Sequence, residues 1–329
     1  MAQESYTLWD EMKALDNNNA IYTSCGLLWL GDRKETLERA GYLEKCNADY
    51  EILSGKEIRK KFPYLNYDSE EEDWHAVLDK KGGVIHAERA LQSAQRLFKK
   101  FGGEIKEHAK VIEVIPGSVV KIKLLDGTVY ETKQLIVTVG AWLTALMPEI
   151  KVASVPKLVS VNFWKLKDEY KDKEHYFEPD NMSPCLIITK GEEELFMIPG
   201  ADYKGQVKFG IHAGETFDVD NDKRIIPDWM HLVPGKHIRK HIQYIDATKP
   251  ELIVPCVYQM TEDINFILDK HPEHQNIVIG SGFSGTGFKF AVLVGQILND
   301  LLDNKKIDSC DMSVFSATRI IPLNLKCKL

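Results

Sequence analysis

The sequence lacks long apolar runs, an excess of positive charge and internal repeats. No apolar stretch is long enough to span a bilayer, and the opening residues MAQESYTLWDEMK have no basic segment followed by an apolar one. We therefore expect neither a membrane span nor a secretory signal there. The 42 Lys and Arg residues are outnumbered by 49 Asp and Glu residues, and the resulting net charge of −7 disfavours nucleic acid as a main partner.

The sequence also lacks closely spaced cysteines and strong metal-binding motifs. Its six cysteines are scattered without a CxxC pair, which predicts free thiols in a reducing compartment. His237 and His241 are four residues apart in GKHIRKH, but no acidic ligand is apparent beside them, so a solvated basic helix face is the favoured interpretation. His271 and His274 in HPEH indicate a turn. We expect no metal site.

Local patterns predict both helices and strands over the 329 residues, a length sufficient for one large or two medium domains. Helical spacing is found in residues 5–15, again after His86 in AERALQSAQRLFKKF, and briefly before Gly41, which is expected to end that helix. Ser54 and Glu57 form a plausible capping box. Strands are expected at 21–30, in GEIKEH, VIEVI and SVVKIKLL, and, as a buried strand, in LIVTVG.

The pattern changes after Val155. Residues 157–166, 184–189, 194–199 and 207–212 alternate in the way that is typical of an antiparallel sheet. Helical signals then dominate from 225 to 245. This combination indicates a sheet-based domain covered by helices.

The stretch with the most functional information is NIVIGSGFSGTGFKFAVLVGQIL, residues 276–298. A β-branched run, four glycines and apolar residues at helical spacing predict a strand, a glycine turn and a helix. Gly280, Gly282 and Gly285 satisfy G-x-G-x-x-G, but the acidic second strand of a dinucleotide site does not follow. Three interpretations stay open: a pyrophosphate site, glycines that permit tight packing, and a helix N-terminus directed at another part of a cofactor, such as a flavin ring.

Further motifs precede this stretch. Residues 256–269 read CVYQMTEDINFILD, HPEH follows, and the glycine turn itself reads GFSGTGFK. Together these motifs resemble the C-terminal half of the sarcosine oxidase family of FAD-dependent amine oxidases. Within that family, the chain is most similar to the branch of peroxisomal sarcosine oxidase and L-pipecolate oxidase. The similarity extends over nearly the whole chain and keeps the order of the motifs.

This resemblance implies a mixed α/β (α+β) fold, in which a Rossmann-like FAD-binding domain carries an inserted substrate domain built on an antiparallel sheet. It assigns residues 1–24, 86–155 and 263–325 to the FAD-binding domain, and 25–85 and 156–262 to the substrate domain. Members of the family begin with a strand, a G-x-G-x-x-G turn and a helix that cradle the FAD pyrophosphate. We expect this chain to be truncated relative to them and to lack that segment.

Four residues are candidates for catalysis. Lys208 and His212 in KFGIH would project from one face of a strand, although a solvated face or a salt-bridged lysine explains the pair equally well. The resemblance implies that Lys208 lies over the flavin and assists the reaction with O₂, because a fixed positive charge stabilises developing superoxide. It also implies that His212 and Tyr258 lie near the substrate. Lys289 would bind the substrate carboxylate, with a surface lysine as the alternative.

Residues expected to contact FAD lie in several distant segments. Cys256 follows a proline, and from the residues alone a buried inert thiol is the default interpretation. The resemblance implies instead that Cys256 carries the flavin through a thioether. Thr286 stands where the family has a histidine, a departure that could alter the flavin environment. The other residues that the resemblance places at the cofactor are Val111, Gly140, Ala141, Trp142, Phe283, Gly285, Thr286, Gly287 and Lys289.

The leading hypothesis is therefore FAD-dependent oxidation of a secondary amino acid, of the sarcosine or L-pipecolate kind, to an imine, with O₂ reduced to hydrogen peroxide. We expect a monomer. Cys327-Lys328-Leu329 is a variant of the S-K-L address and predicts binding to the peroxisomal import receptor and location in the peroxisome. Two alternatives stay open: a catalytically impaired truncated isoform or remnant that acts, if at all, as a binding protein, and a dehydrogenase that passes electrons to a protein acceptor.

Overall fold

The computed structural model describes residues 1–17, 20–220 and 223–321. None of the helices in these ranges combines the length and apolar character of a membrane span. The α-helices of the described ranges are α1 (Ala2–Asp16), α2 (Arg33–Lys45), α3 (Gly55–Lys61), α4 (Ala87–Lys100), α5 (Leu143–Leu146), α6 (Trp229–His241) and α7 (Ala291–Leu302).

Strands and short 3₁₀ turns make up the rest of the regular structure. The strands are β1 (Tyr22–Ser24), β2 (Leu27–Gly31), β3 (Tyr50–Ser54), β4 (His75–Asp79), β5 (Gly83–Ile85), β6 (Val111–Ile115), β7 (Val120–Leu124), β8 (Val129–Thr132), β9 (Leu135–Val137), β10 (Ser154–Lys165), β11 (Cys185–Ile188), β12 (Leu195–Ile198), β13 (Gln206–Ile211), β14 (Glu215–Thr216), β15 (Leu252–Thr261), β16 (Ile267–Lys270) and β17 (Ile277–Ser281). The 3₁₀ segments are Gly140–Trp142, Asp168–Phe177, Pro179–Asn181, Phe288–Phe290 and Met312–Phe315.

One large sheet has the strand order β14-β10-β13-β12-β11-β2-β4-β3, and β15 pairs with β10 as well. All neighbouring strands in it are antiparallel except β11 and β2, which run parallel with Cys185 opposite Leu27. The parallel pair joins segments that are far apart in the sequence. The expected mixed fold with a mainly antiparallel sheet is confirmed, while the exact division into two domains stays a prediction.

A buried aromatic core lies beneath this sheet and fixes α6 against it. Trp164 is fully buried, and its indole N–H donates to the carbonyl of Phe209 at 2.8 Å. The amide of Asn162 donates to the carbonyl of Met230 in α6, also at 2.8 Å. A side chain at Gly235 would lie 3.1 Å from the Trp164 ring, so this glycine allows the close approach of α6.

A smaller sheet, β16-β17-β9, packs against α7 and carries the glycine turn. Ile277 and Ile279 are fully buried, and Leu293 and Ile297 of α7 repeat at helical spacing on its buried face. A Cβ on Gly280 would lie 2.7 Å from a methyl group of Leu298, so tight strand–helix packing is one reason for glycine there. The predicted order of strand, glycine turn and helix is confirmed.

Other local expectations have mixed outcomes. The capping box of Ser54 and Glu57 is present, and α4 covers the expected helix. The single strand expected at 21–30 is wrong because Gly26, at φ +92°, breaks it into β1 and β2. The helix expected to end at Gly41 continues to Lys45, since a helix tolerates one glycine at a modest cost.

Two expected strands differ from the structure near the β-meander of β6, β7 and β8. GEIKEH forms no strand, because residues 103–108 fall in the turn region between α4 and β6. LIVTVG yields only the short strand β9, which lies at the edge of its sheet, so Ile136 is 39% exposed rather than buried. A buried position for the whole run is therefore wrong.

Candidate active site

An open cavity of about 500 Å³ lies between the glycine turn, the first turns of α7 and strand β15. Its walls are largely apolar, and they come from three parts of the chain that are distant in sequence. The predicted site residues that line it are Gly140, Ala141, Tyr258, Phe283, Gly285 and Gly287. We call it the glycine-turn cavity.

Gly285 brings the turn directly against two candidate catalytic side chains. It has φ +75°, and a Cβ there would lie 2.6 Å from Tyr258 Cε2 and 2.7 Å from His212 Cε1. The rings of His212 and Tyr258 are 5.7 Å apart. Two reasons therefore require glycine at position 285: the left-handed backbone conformation, and the lack of space for a side chain beside Tyr258 and His212.

Two other glycines leave the cavity open. Gly140 has φ +55°, and a Cβ on Gly140 or on Gly295 of α7 would meet nothing within 4 Å. The hydroxyl of Ser281 donates to the carbonyl of Gly140 at 3.1 Å and ties this turn to β17. A planar group could thus approach the backbone of both the turn and the helix.

Gln259 is a site residue that the sequence did not reveal. It lines the glycine-turn cavity, and its Nε2 donates to the hydroxyl of Ser154 at 2.7 Å. Its Oε1 is buried and has no hydrogen-bond partner among the described residues. A buried acceptor without a partner is costly, so this oxygen suits a bound group that presents an N–H. Only the fold shows that Gln259 faces the cavity.

A second cavity, of about 740 Å³, lies on the other side of the 3₁₀ turn Gly140–Trp142. Val111 and Trp142, both predicted to contact the cofactor, line it. Lys110, Asp220 and Arg224 also line it, and the ammonium of Lys110 lies 3.9 Å from the carboxylate of Asp220. The two cavities together offer an apolar slot next to a polar region that contains the guanidinium of Arg224.

Lys208 lies on β13, and an ion pair holds its side chain. Its ammonium is 2.6 Å from the carboxylate of Asp202, and it also lies 5.4 Å from the centre of the Phe163 ring. The salt-bridged alternative considered from the sequence is thus what the structure contains. Asp202 is a second residue that no sequence pattern indicated. A role of Lys208 towards oxygen stays a prediction.

Strand β15 presents Cys256 and Tyr258 close to these groups. Cys256 is half-buried opposite Val159 of β10. Burial raises the pKa of its thiol, while the charges of Lys208 and Arg224 lower it in part. Burial also raises the pKa of Tyr258 to about 12, so its hydroxyl stays protonated at neutral pH and is able to donate a hydrogen bond.

Lys289 lies in the turn that precedes α7 and lines a separate cavity of about 260 Å³ beside α1. Its side chain is exposed, yet desolvation around the ammonium lowers its pKa, an effect that Glu194 opposes. Within the described part of the chain, no carboxylate lies within ion-pair distance of this ammonium. The backbone carbonyl of Glu194 accepts a hydrogen bond from the backbone N–H of His212 at 2.8 Å, so the residue whose carboxylate influences Lys289 also contacts His212 through its main chain.

The remaining predicted residue, Thr286, is engaged within the glycine turn. Its hydroxyl donates to the carbonyl of Phe283 at 3.3 Å. It therefore helps to hold the turn in shape.

The interpretation of His237 and His241 as a solvated basic face is wrong. His241 is only 4% exposed and stacks on Tyr67, with ring centres 4.7 Å apart. His237 shares a hydrogen bond of 2.8 Å with the Tyr67 hydroxyl. Glu72 lies 3.9 Å from His241, so an acidic neighbour exists after all. No group of three or more metal-ligating side chains is found in residues 1–17, 20–220 and 223–321.

Comparison with known proteins places this geometry in a family. A family model described as FAD dependent oxidoreductase matches residues 1–301 of the chain. The chain belongs to the FAD-dependent oxidoreductase family. The expectation of a flavin enzyme is thereby confirmed.

Relatives and solved structures agree with this membership. The oxidoreductase is 29% identical to the peroxisomal sarcosine oxidase of Homo sapiens over 331 residues, 97% of this chain and 81% of the relative. It is 29% identical to the monomeric sarcosine oxidase of Bacillus sp. (strain B-0618) over 333 residues, 97% of this chain and 80% of the relative. Its fold is similar to glycine oxidase from Geobacillus kaustophilus (TM-score 0.77, 15% identity, 97% and 82% covered) and to NikD, an unusual amino acid oxidase essential for nikkomycin biosynthesis (TM-score 0.75, 17% identity, 96% and 81% covered).

The two cavities of this FAD-dependent oxidoreductase fit a flavin cofactor. Gly140 and Gly295 leave space where a ring can approach the backbone, and Gln259 offers a buried acceptor for a ring N–H. Arg224 provides positive charge that suits phosphate groups, whereas the charge of Lys110 is paired with Asp220. The residues present therefore agree with the cofactor of the family.

Proposed function

We propose that this FAD-dependent oxidoreductase oxidises the C–N bond of a secondary amino acid, of the sarcosine or L-pipecolate kind, to an imine and reduces O₂ to hydrogen peroxide. The observation that carries the proposal is Lys289, a desolvated ammonium that lines a cavity and has no carboxylate at ion-pair distance in the described residues. A substrate carboxylate would supply the missing charge. The alternative of a non-catalytic remnant is not favoured, because the relatives it matches over almost all its length are oxidases.

FAD, when bound, supplies the two-electron acceptor for this oxidation. The protein's part is to hold and orient the cofactor. Gly140, Gly285 and Gly295 would let the ring lie close to the backbone, and Gln259 would accept a hydrogen bond from it.

We further propose that Cys256 holds the flavin through a thioether. Burial raises the pKa of the thiol and opposes formation of the nucleophilic thiolate. The nearby positive charges of Lys208 and Arg224 act in the opposite direction and favour the thiolate. Because burial outweighs these charges, the pKa of the thiol is raised overall, and the thioether proposal is supported instead by the family resemblance and by the position of Cys256 next to Val257 and Tyr258, which line the glycine-turn cavity.

The substrate would be held by groups on both sides of the glycine turn. Lys289 binds the carboxylate through a charge-assisted hydrogen bond. The protonated hydroxyl of Tyr258 is a neutral donor for the same substrate, and the His212 ring limits the pocket beside it. Gly285 fixes the relative position of the two rings. Contacts from Lys289 and Tyr258, which line two separate cavities on either side of the turn, would favour small amines that carry a carboxylate.

Lys208 would serve the oxygen half of the reaction. Electron transfer to O₂ develops negative charge, which a fixed ammonium stabilises without reorganisation. The Asp202 ion pair restrains the position of this ammonium. Release of hydrogen peroxide, measured under air, separates this oxidase from a dehydrogenase that uses a protein acceptor.

The test uses Lys289→Met and the charge-conserving Lys289→Arg. Loss of a charge-assisted hydrogen bond of ~1.5–3 kcal/mol should raise the KM for sarcosine or L-pipecolate roughly 10- to 100-fold in Lys289→Met. The arginine variant should recover part of that loss. Oxidation of an amine without a carboxylate should respond little to either change. Equal KM values for all three proteins would reject the carboxylate role, and no peroxide from any amine with flavin bound would reject the oxidase.

We also propose that the enzyme acts as a monomer in the peroxisome. The location rests on similarity to peroxisomal sarcosine oxidases of Homo sapiens and Mus musculus. The predicted import tripeptide, Cys327 to Leu329, lies outside the described residues. Co-localisation of an N-terminal fluorescent fusion with catalase tests the location, and a diffuse signal would contradict it. Light scattering of the purified protein tests the monomer.

A further inference from the structure

Two cysteines that are 160 positions apart in the numbering meet where β2 begins beside β11. Cys185 is the first residue of β11, and its backbone N–H donates to the carbonyl of Gly26 at 2.9 Å. Cys25 precedes that glycine directly. Gly26 adopts φ +92°, which turns the chain between Cys25 and β2. The parallel pairing thus places Cys25 next to the start of the neighbouring strand.

Both thiols are buried in the same small core. Cys25 is 2% exposed and Cys185 is 7% exposed, and they cluster with Val84. Both are reduced in the structure, and neither lines the glycine-turn cavity or the cavity of Lys289. The proposed catalytic and cofactor contacts therefore leave this pair without a role.

The pair is adjacent to the strand segment that carries Lys208. Ile198 and Ala201 pack against the small core that Cys25 and Cys185 form with Val84. Ile198 is directly opposite Lys208 in the sheet, and Ala201 precedes Asp202, the ion-pair partner of Lys208. Only strand β12 separates β13, which carries Lys208, from β11, which carries Cys185. Peroxide formed near Lys208 would therefore arise close to Cys185.

A route for a small oxidant to Cys25 is present on another side. A cavity of about 360 Å³ is lined by Cys25, Tyr64 and Ser183, and by the lysines Lys61 and Lys80. Hydrogen peroxide is far smaller than this space. Access to Cys25 therefore does not require the sheet to open.

We propose that Cys25 and Cys185 form a peroxide-sensitive pair that converts from two thiols to a disulfide. The Cys25 thiolate attacks one oxygen of hydrogen peroxide and becomes a sulfenic acid, while the other oxygen leaves as hydroxide and takes up the thiol proton to form water. The sulfur of Cys185 then attacks the Cys25 sulfur, its proton joins the departing hydroxyl, and a second water leaves. Two thiols lose two electrons and two protons, and one peroxide becomes two waters.

Access from the cavity of about 360 Å³ assigns the two roles, because Cys25 lines this cavity and Cys185 does not. Interaction with the Cys185 thiol is the main influence that lowers the pKa of Cys25. The same interaction, followed by burial, raises the pKa of Cys185. The directions of both pKa shifts thus agree with Cys25 as the thiol that reacts with peroxide and Cys185 as the resolving thiol.

Only the source of peroxide in this inference rests on the proposed function. The chemistry of the pair is tested with added hydrogen peroxide on the full chain, followed by alkylation of free thiols, digestion without reductant and mass spectrometry. We expect a cross-linked peptide pair that contains Cys25 and Cys185 and is two hydrogens lighter than the reduced pair. Cys46, an exposed thiol, provides the comparison within the same sample. The proposal is overturned if Cys46 is oxidised while Cys25 and Cys185 stay alkylatable, or if Cys25 reaches a sulfinic acid with Cys185 free.

A second measurement follows the folded state. A bridge between residues 25 and 185 closes a long loop, so oxidised protein should melt at a higher temperature than reduced protein. Cys185→Ser should abolish that rise, whereas Cys46→Ser should retain it. An equal rise in Cys185→Ser would overturn the proposal, and the mass measurement on the unsubstituted chain decides even if that variant does not fold.

The source of the oxidant is tested separately. Amine turnover under air should produce the same cross-link, and added catalase should reduce it if peroxide reaches the pair through solvent. A cross-link with added peroxide, but neither a cross-link nor peroxide release with the amine, supports the pair and points to failure of the oxidase proposal. No cross-link in either arm, with peroxide release detected, overturns the pair alone.

Discussion

The Lys208 ammonium is held 2.6 Å from the Asp202 carboxylate, with both side chains only partly exposed. The charge proposed to act on oxygen is therefore fixed in place before any reactant arrives. A fixed charge is what electrostatic catalysis requires, because no reorganisation energy is spent during the reaction. The same ion pair also reduces the net charge at the site, so the two residues have opposing electrostatic effects.

Substitution of Lys208 by methionine tests this charge. Lys208→Met has a side chain of similar length and no charge, and the oxygen half-reaction should slow by ~10²–10³-fold. Anaerobic oxidation of the amine should change much less. Stopped-flow measurement of the two half-reactions separates these effects, and an unchanged oxygen step would leave Lys208 as an ordinary ion-paired lysine.

Asp202→Asn tests whether the negative charge of Asp202 slows or assists the reaction with oxygen. It removes the negative charge but keeps a hydrogen-bonding side chain, so the oxygen step should be no slower than in the unsubstituted protein. A rate as low as that of Lys208→Met would mean that Asp202 acts by holding the ammonium in position.

Two helix glycines form a matched pair for locating the cofactor. A Cβ on Gly295 of α7 or on Gly41 of α2 would meet nothing within 4 Å. Alanine at either position should stabilise the protein without FAD by ~0.5–1 kcal/mol, because glycine is a poor helix former. Of these two helix glycines, Gly295 lines the glycine-turn cavity and Gly41 does not. Gly295→Ala should therefore weaken FAD binding in a titration, and Gly41→Ala should not. Equal FAD affinity in both variants would place the flavin elsewhere.

The thioether proposal is tested by acid precipitation. Protein with a covalent flavin should retain its yellow colour in the pellet, and Cys256→Ser should release it to the supernatant. Cys46→Ser, which changes an exposed thiol, provides the control and should retain the flavin. Release from all three proteins would show that Cys256 is a half-buried thiol without a covalent role.

Stability should depend on pH through His237. Burial lowers the pKa of His237 from 6.5 to about 3, with His241 and Lys240 adding to the effect and Glu72 opposing it. Between about pH 3 and pH 6.5, His237 is protonated in the unfolded chain and neutral in the folded protein. The free energy of unfolding should therefore fall as pH drops below about 6.5, by at most ~1.4 kcal/mol per pH unit from this group.

Thermal melting between pH 7 and pH 5 measures this loss. His237→Gln removes the titrating ring and keeps a side chain that can bond to Tyr67, so its melting temperature should depend less on pH. His175→Gln changes an exposed histidine and should behave like the unsubstituted protein. Identical pH profiles for all three would exclude His237 as the source.

Sequence patterns correctly predicted the structural elements that depend on interactions between residues close together in the chain. The glycine turn after β17 was predicted because glycines and apolar spacing are read over neighbouring residues. The capping box at Ser54 was predicted for the same reason. The site residues gathered in the glycine-turn cavity were predicted through resemblance, since no spacing rule connects Gly140 with Tyr258.

Contacts between distant segments could not be predicted in this way. The pairing of β11 with β2 decides that Cys185 meets Cys25, and strand pairing of this kind leaves no local signal. The burial of His241 depends on Tyr67, a residue from a different part of the chain. An i,i+4 histidine pattern looks the same whether it faces water or a tyrosine, so only the fold distinguishes the two.

The indole N–H of Trp9 donates to the carbonyl of Lys289 at 2.9 Å, across 280 positions of sequence, and the ring of Trp9 also stacks on Phe288. Helix α1 therefore braces the main chain at the lysine proposed to bind substrate. During synthesis, Trp9 leaves the ribosome long before Phe288 and Lys289 are added to the chain. Its apolar ring therefore lacks these contacts until that point. The brace at Lys289 can therefore form only after residues 1–289 have been synthesised, so the proposed substrate contact of this lysine cannot be in place before then.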